Sequence, residues 1–110
     1  MKLPTGTPCV ECPWRRAALP GWLGPYASDE WLALAHSDEP VACHLTVGRR
    51  AVALTSCSGA AIYRRNVAKA PRGLDAHQLP ADRDTVFANR AEFAAHHDRP
   101  ARSGPQTVLR

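Results

Sequence analysis

Four cysteines are the residues whose type and spacing point most directly to chemistry. Cys9 and Cys12 form a close pair in the run PCVECPWRR, Cys43 follows after thirty further residues, and Cys57 after another thirteen. Thiolates are strong, soft donors, and four of them suit a tetrahedral zinc ion or an iron–sulfur cluster. The spacing therefore predicts one metal centre with Cys9, Cys12, Cys43 and Cys57 as its ligands.

The identity of the metal stays open between two candidates. Zinc ribbons and fingers usually bring their ligands in as two close pairs, whereas only one pair is close here. One close pair with two separate cysteines is typical of some [4Fe–4S] centres that cross-link small domains, and Cys-Pro, as at Cys12, also occurs at ligands of bacterial ferredoxin clusters. We predict a [4Fe–4S] cluster, slightly preferred over Zn2+.

Two other interpretations of the cysteines compete with a metal site. Free cysteine is among the most buried residue types, so the four can be ordinary core residues. Cys9 and Cys12 can also form a thioredoxin-like dithiol, which requires a CxxC at a helix start in a βαβ context, but no strand pattern precedes Cys9. No G-x-S-x-G, H-E-x-x-H or glycine-rich phosphate loop occurs. We therefore expect a protein that is not an enzyme, with a thiol–disulfide oxidoreductase as the less favoured alternative.

Two side chains next to the cysteines are candidates for the surroundings of the metal. Trp14 follows the close pair, and we favour a buried Trp14 that excludes water from the site. His44 adjoins Cys43, but neighbours in a strand point to opposite faces, so His44 reaches the metal only if the strand is irregular. The other histidines have no partner suggested by the sequence, and we expect them to be solvated: His36, His77, His96 and His97.

The elements that must position these residues are short. Ser28 can cap a first helix, whose inward face is predicted at Trp31, Leu34 and Ala35. The β-prone runs 41–47 and 51–55, separated by a glycine-containing turn, predict a hairpin that carries Cys43 in its first strand.

Two further helices are predicted. Residues 60–69 form one, with Tyr63 on its inward face and Arg64 more exposed. Asn89 and Glu92 resemble a capping box that opens the last helix and directs Phe93 inward. The whole pattern predicts a small, irregular α+β domain, cross-linked by metal, with a short β-hairpin and two or three short helices.

The length of 110 residues allows one domain at most. We predict an extended N-terminal arm over 1–8, a metal-binding domain over 9–98 and a flexible C-terminal tail over 99–110. Much of the 45% hydrophobic content is alanine, and alanine contributes little burial free energy. We therefore expect metal binding to contribute to the free energy of folding.

Composition also bears on location. No stretch approaches the roughly 20 apolar residues that cross a bilayer, and the first residues lack the apolar segment of a signal peptide. We expect a cytoplasmic protein with no membrane partner, a setting in which several cysteines more often bind metal than form disulfides.

The positive charge is carried by arginine. The net charge is +4, with twelve arginines against two lysines. Arginine side chains with aromatic neighbours such as Trp14 and Tyr63 suit phosphate contact and base stacking, whereas the plainer interpretation is an ordinary soluble surface. Three adjacent arginine pairs lie near the cysteines and predict a surface for DNA or a transcription protein: Arg15, Arg16, Arg49, Arg50, Arg64 and Arg65. The sequence does not indicate the oligomeric state.

The joint motifs carry a family resemblance. PCxxCPWR at the start, CHxT at Cys43 and CxGA at Cys57 resemble a family of small four-cysteine proteins encoded by actinobacteria and their phages, over about residues 8–67. The resemblance implies that the four cysteines bind metal, and it carries no established activity. In ligand number, size and charge the chain is also similar to the WhiB-like iron–sulfur regulators, although their cysteine order differs. We predict a non-enzymatic regulator or adaptor, with an iron–sulfur redox sensor as the alternative.

Overall fold

The computed structural model describes residues 4, 6–8, 11–39, 41–42, 56–69 and 79–98. Within these ranges it contains three helices, α1 (Ser28–Ala35), α2 (Ser58–Asn66) and α3 (Arg90–Asp98). Helix α1 packs against both α2 and α3. None of these helices is long and apolar enough to span a bilayer. The predicted C-terminal tail, 99–110, lies outside the described residues.

The predicted α+β class with a β-hairpin is wrong for the residues that the structure describes. These ranges contain no strand, and their extended pairings are two isolated antiparallel bridges, between Arg15 and Val86 and between Ala42 and Ser56. Residues 43–55, which include the turn and most of the predicted hairpin, lie outside the described residues. The described part is therefore a helical arrangement joined by irregular segments.

Side chains satisfy the backbone of these irregular segments where a sheet would otherwise do so. Asn66, at the end of α2, donates through Nδ2 to the carbonyl oxygens of Asp82, Val86 and Phe87 at 3.0–3.2 Å. Its Oδ1 accepts the N–H of Asp82 at 2.8 Å. Buried backbone groups need hydrogen-bond partners, and a side chain can supply them in place of a neighbouring strand. The β propensity of a segment therefore depends on its surroundings. One amide side chain thus holds the segment 82–87 against the end of α2.

The core is built around Trp14, which is fully buried. Its ring stacks against Tyr63 of α2 and Phe93 of α3, with centroid separations of 4.7 and 4.4 Å, and meets Trp31 of α1 edge-on at 6.2 Å. Aromatic pairs of this kind contribute about 0.5–1.5 kcal/mol beyond area burial. The prediction that Trp14 is a core residue is confirmed, and a residue two positions after Cys12 contacts all three helices.

Helix α1 begins at the predicted Ser28 and buries Ala35 as predicted, but Leu34 departs from the predicted inward face. The hydroxyl of Ser28 donates to Asp98 of α3 at 2.6 Å and does not cap its own helix. The buried positions are Ser28, Leu32 and Ala35, which lie on one side of the helix at i, i+4 and i+7. Leu34, predicted to point inward, is 41% exposed, so that part of the prediction is wrong.

Helix α3 begins as the capping pattern predicts. The side chain of Asn89 accepts the N–H of Glu92 at 2.9 Å. The Glu92 carboxylate in turn accepts the N–H of Ala88 at 2.8 Å, one residue before the predicted partner. Phe93 is fully buried as predicted. The start of α3 follows from residues that are neighbours in sequence, and such local signals are the most readable ones.

Candidate metal centre

Two of the four predicted ligands, Cys12 and Cys57, lie together at the start of α2. Cys57 immediately precedes the helix, and its Sγ accepts the N–H of Ala60 at 3.4 Å. The thiol of Cys12 is hydrogen-bonded to that of Cys57. The two residues are 1% and 4% exposed, and both carry thiols. The other two predicted ligands, Cys9 and Cys43, lie outside the described residues.

Gly59 permits Cys12 to approach the helix this closely. A Cβ atom at Gly59 would stand 2.3 Å from Cys12 Sγ and 2.9 Å from the Cβ of Trp14. Both separations are too short for a carbon atom, so a residue without a side chain is needed here. Gly59 of the CxGA motif therefore forms the surface against which Cys12 and Trp14 of the PCxxCPWR motif pack.

The surroundings of Cys12 favour its thiolate form. The hydrogen bond from Cys57 lowers the pKa of the Cys12 thiol most strongly, burial opposes it, and the N–H groups of Trp14 and Gly59 and the charge of Arg15 lower it further. Each donor stabilises the negative sulfur more than the neutral thiol. Cysteine binds metal as the thiolate, so this environment suits a metal ligand.

The N-terminal arm packs close to the two cysteines. Pro8 is buried, and its carbonyl oxygen accepts a hydrogen bond from Arg15 Nη1 at 3.2 Å. The N–H of Gly6 donates to the hydroxyl of Ser58 in the first turn of α2 at 3.4 Å. The described residues of the arm therefore lie against the same end of α2 as the thiols.

His97 holds the segment after Cys12 to α3, and the prediction that it is solvated is wrong. The side chain is 5% exposed. Its Nε2 lies 2.8 Å from the carbonyl oxygen of Pro13, and its Nδ1 lies 3.1 Å from the N–H of Gly21. A carbonyl only accepts and an N–H only donates, so these two bonds fit a neutral ring with its proton on Nε2. Both partners are backbone groups, which leave no signature in a side-chain pattern.

Two other histidines predicted to be solvated also have partners. His36 Nε2 lies 2.7 Å from the hydroxyl of Tyr63, and burial, more than the nearby cationic side chains, lowers the pKa of His36. His96 Nε2 lies 2.5 Å from the carbonyl oxygen of Ala18. His44 and His77 lie outside the described residues.

Arg64, predicted to be part of a partner surface, is buried with 3% exposure. Its guanidinium donates to the carbonyl oxygens of Ala35, Leu34 and Ser37 at 2.8–3.3 Å and also bonds that of Glu39. These carbonyls lie at the C-terminal end of α1 and in the turn that follows it, where a cation is favourable. Arg64 therefore joins α2 to α1, and its predicted exposure is wrong.

The other predicted surface arginines differ from one another. Arg15 and Arg16 are half-buried, and Arg16 pairs with Glu92 at 2.7 Å. Arg49 and Arg50 lie outside the described residues. Of the set members that the structure describes, only Arg65 is exposed, so the described residues do not gather these arginines on one open face.

Comparison with protein-family models, with curated proteins and with solved structures found no match to this chain. In the part of the chain that the structure describes, no three His, Cys, Asp or Glu side chains converge to hold a metal ion. The described residues contribute two thiols, and the four-cysteine centre stays a prediction. Function must therefore be inferred from the chemistry around Cys12 and Cys57.

Proposed function

We propose that this chain is a small metal-binding domain in which Cys9, Cys12, Cys43 and Cys57 hold one [4Fe–4S] cluster or one zinc ion. The observation that supports the proposal is the meeting of Cys12 and Cys57. Two sulfurs from distant parts of the sequence come together in the interior, and the backbone N–H of Ala60 donates a hydrogen bond to Cys57 Sγ. Buried thiolates with N–H donors fit the donor chemistry of both groups.

The bound group serves as a cross-link for the fold in this proposal. Cys12 is two residues from Trp14, the centre of the aromatic core, and Cys57 starts α2. Ligation of both sulfurs ties the core residue to the helix against which it stacks. A site that the unfolded chain lacks contributes its binding free energy to folding, so the domain needs no catalytic activity for the cysteines to matter.

The described thiols favour this role over thiol–disulfide exchange. An exchange enzyme needs an attacking sulfur that its substrate can reach. Cys12 and Cys57 are 1% and 4% exposed, so neither reaches a protein disulfide without opening of the core. Of the predicted surface arginines that the structure describes, only Arg65 is exposed, which does not favour a DNA-binding role.

Anaerobic purification with metal and sulfide analysis tests the proposal. A brown protein with iron and acid-labile sulfide identifies a cluster, whereas a colourless protein with one zinc per chain identifies zinc. We expect each of Cys9→Ser, Cys12→Ser, Cys43→Ser and Cys57→Ser to lower the bound metal and the melting temperature. Arg65→Lys, at an exposed position, is the control and should leave both unchanged.

The contrary result is equally definite. A chain that takes up neither zinc nor a reconstituted cluster, and melts at the same temperature with or without them, is not a metal-binding domain. Equal stability of Cys9→Ser and the wild type would remove Cys9 from the ligand set, and the same comparison applies to Cys43.

A further inference from the structure

We propose that the indole N–H of Trp14 donates a hydrogen bond to a sulfur atom of the loaded metal centre, either a cysteine thiolate or a cluster sulfide. This inference rests on the proposed function and assigns Trp14 a role in it. Trp14 then positions and tunes the centre, in addition to filling the core.

The first observation is a buried donor without an acceptor. Trp14 is fully buried, and its Nε1 has no hydrogen-bond partner among the residues that the structure describes; no other buried side-chain nitrogen or oxygen of those residues is in this state. Buried polar groups are nearly always paired, and each exception calls for a reason. The indole of Trp31, by contrast, donates to the carbonyl oxygen of Leu23 at 3.0 Å.

The second observation is where the pyrrole edge of Trp14 lies. The position that a Cβ would take at Gly59 is 2.3 Å from Cys12 Sγ and 3.5 Å from Trp14 Cδ1, the ring atom bonded to Nε1. The faces of the same ring are covered by Tyr63 and Phe93. Cδ1, one bond from Nε1, therefore lies on the side of the ring that faces Gly59 and Cys12.

A sulfur acceptor fits this donor chemically. A thiolate that binds metal keeps lone pairs for N–H donors, and so does the inorganic sulfide of a cluster. Hydrogen bonds to such sulfurs orient the ligands and change the reduction potential of iron–sulfur centres. The aromatic face of Trp31 is the acceptor that competes with sulfur for this N–H, since the two indole rings are in a T-shaped arrangement with centroids 6.2 Å apart.

Nuclear magnetic resonance of the full chain with nitrogen-labelled tryptophan tests the inference. Trp14→Phe, Trp22→Phe and Trp31→Phe assign the three indole signals. In one arm the chain is loaded with a magnetically active cadmium isotope, and in the other with a reconstituted cluster. We expect loading to shift the Trp14 indole proton downfield and to slow its exchange at least about tenfold, the factor that about 1.4 kcal/mol produces. The signals of Trp22 and Trp31 should stay in place.

The two arms identify the acceptor. Scalar coupling between the Trp14 indole proton and cadmium identifies a thiolate. A response to the cluster alone, accompanied by a more negative reduction potential in Trp14→Phe, identifies a sulfide. The inference is overturned if the Trp14 indole signal does not change on loading in either arm, or if it changes only in Trp31→Phe.

Matched variants supply an independent measurement. Trp14→Phe should weaken cadmium binding about tenfold, whereas Trp31→Phe, which removes an indole paired with a carbonyl, should change it less than about twofold. If Trp14→Phe does not fold, the response of the wild-type Trp14 indole signal to metal loading still tests the inference. A wild-type chain that binds no metal contradicts the proposed function, whereas one that binds metal with an unperturbed Trp14 indole contradicts only this inference.

Discussion

At the scale of single residues, Gly59 is a position in the candidate site where no side chain fits. A Cβ there stands 2.3 Å from Cys12 Sγ and 2.9 Å from Trp14 Cβ. Cys12 Sγ could turn away by rotation, but Trp14 Cβ is bonded directly to the backbone, so the cysteine loop must move. We expect Gly59→Ala to lower the free energy of unfolding by about 1–3 kcal/mol, the usual cost of overpacking, and to weaken metal binding. Urea unfolding with and without metal measures both effects.

Gly24 provides the matched control for this substitution. Its φ is +69°, and nothing lies within 4 Å of a Cβ built on it. Asparagine tolerates this backbone conformation better than other residues, so Gly24→Asn should change the free energy of unfolding by less than about 0.5 kcal/mol. If Gly59→Ala costs no more than Gly24→Asn, the close approach of Cys12 to α2 is not a constraint on the fold.

Residue types revealed part of the site in advance. The sequence predicted the importance of Cys12, Cys57 and a buried Trp14, because sulfur and indole have few competing roles. Gly59 and His97 escaped prediction. The reason for glycine is a contact with a residue far away in sequence, and His97 bonds backbone carbonyl and N–H groups, which every residue type offers.

At the level of elements, the junction of α1 and α2 depends on Arg64. Its guanidinium bonds the carbonyl oxygens of Ala35, Leu34 and Ser37. We expect Arg64→Met to lower the free energy of unfolding by about 2–4 kcal/mol. Each buried carbonyl that loses its donor costs about 1–3 kcal/mol, and the carbonyls that water can reach in the variant cost less. Arg64→Lys should recover little, since an ammonium group cannot bond several carbonyls in the planar arrangement of a guanidinium.

Arg65 is the control in the same helix. It is exposed, whereas its neighbour Arg64 is buried. Arg65→Met should change the free energy of unfolding by less than about 0.5 kcal/mol. Similar chemical denaturation midpoints for Arg64→Met and Arg65→Met would show that the carbonyl contacts do not stabilise the junction.

The start of α3 could be predicted from the sequence, whereas the interactions at the end of α1 could not. Asn89 starts α3 through a bond to Glu92, three residues away, and a short motif contains both partners. Arg64 ends α1 through carbonyls that are 25–30 residues away, so sequence periodicity placed it on the surface. The α+β class rested on the β-prone runs 41–47 and 51–55, whose described residues form an isolated bridge between Ala42 and Ser56 and no strand.

At the scale of the whole molecule, the buried ring of Trp14 connects the three helices with the segment that carries Cys12. Trp14 stacks on α2 and α3 and meets α1 edge-on. In the two residues before it, Cys12 contacts the start of α2, and the carbonyl oxygen of Pro13 is bonded by His97. If the chain binds the proposed metal, its loss is expected to loosen the aromatic core and not just the cysteine loop, because the same short segment belongs to both.

Stability of the whole domain should fall as the solution becomes acidic, in two steps. Burial holds the pKa of His36 below its ordinary value of 6.5. Below that pH the unfolded chain binds a proton that the folded chain does not, so stability falls as the pH decreases. The N–H of Ala88, and then Arg16, holds the pKa of Glu92 below its ordinary 4.5. Its contribution is complete above that value and is lost as the pH falls through the lower folded pKa.

Urea unfolding across the acidic range, on wild type and two variants, separates these steps from proton competition for the metal. His36→Gln should flatten the first decline and leave the second, whereas Glu92→Gln should do the reverse at a lower starting stability, because its helix loses the carboxylate at its first turn. Acid release of metal acts equally on all three chains, since neither variant touches a cysteine. Parallel curves for wild type and His36→Gln would mean that His36 titrates alike in the folded and unfolded chain, and its bond to Tyr63 would then contribute no pH dependence.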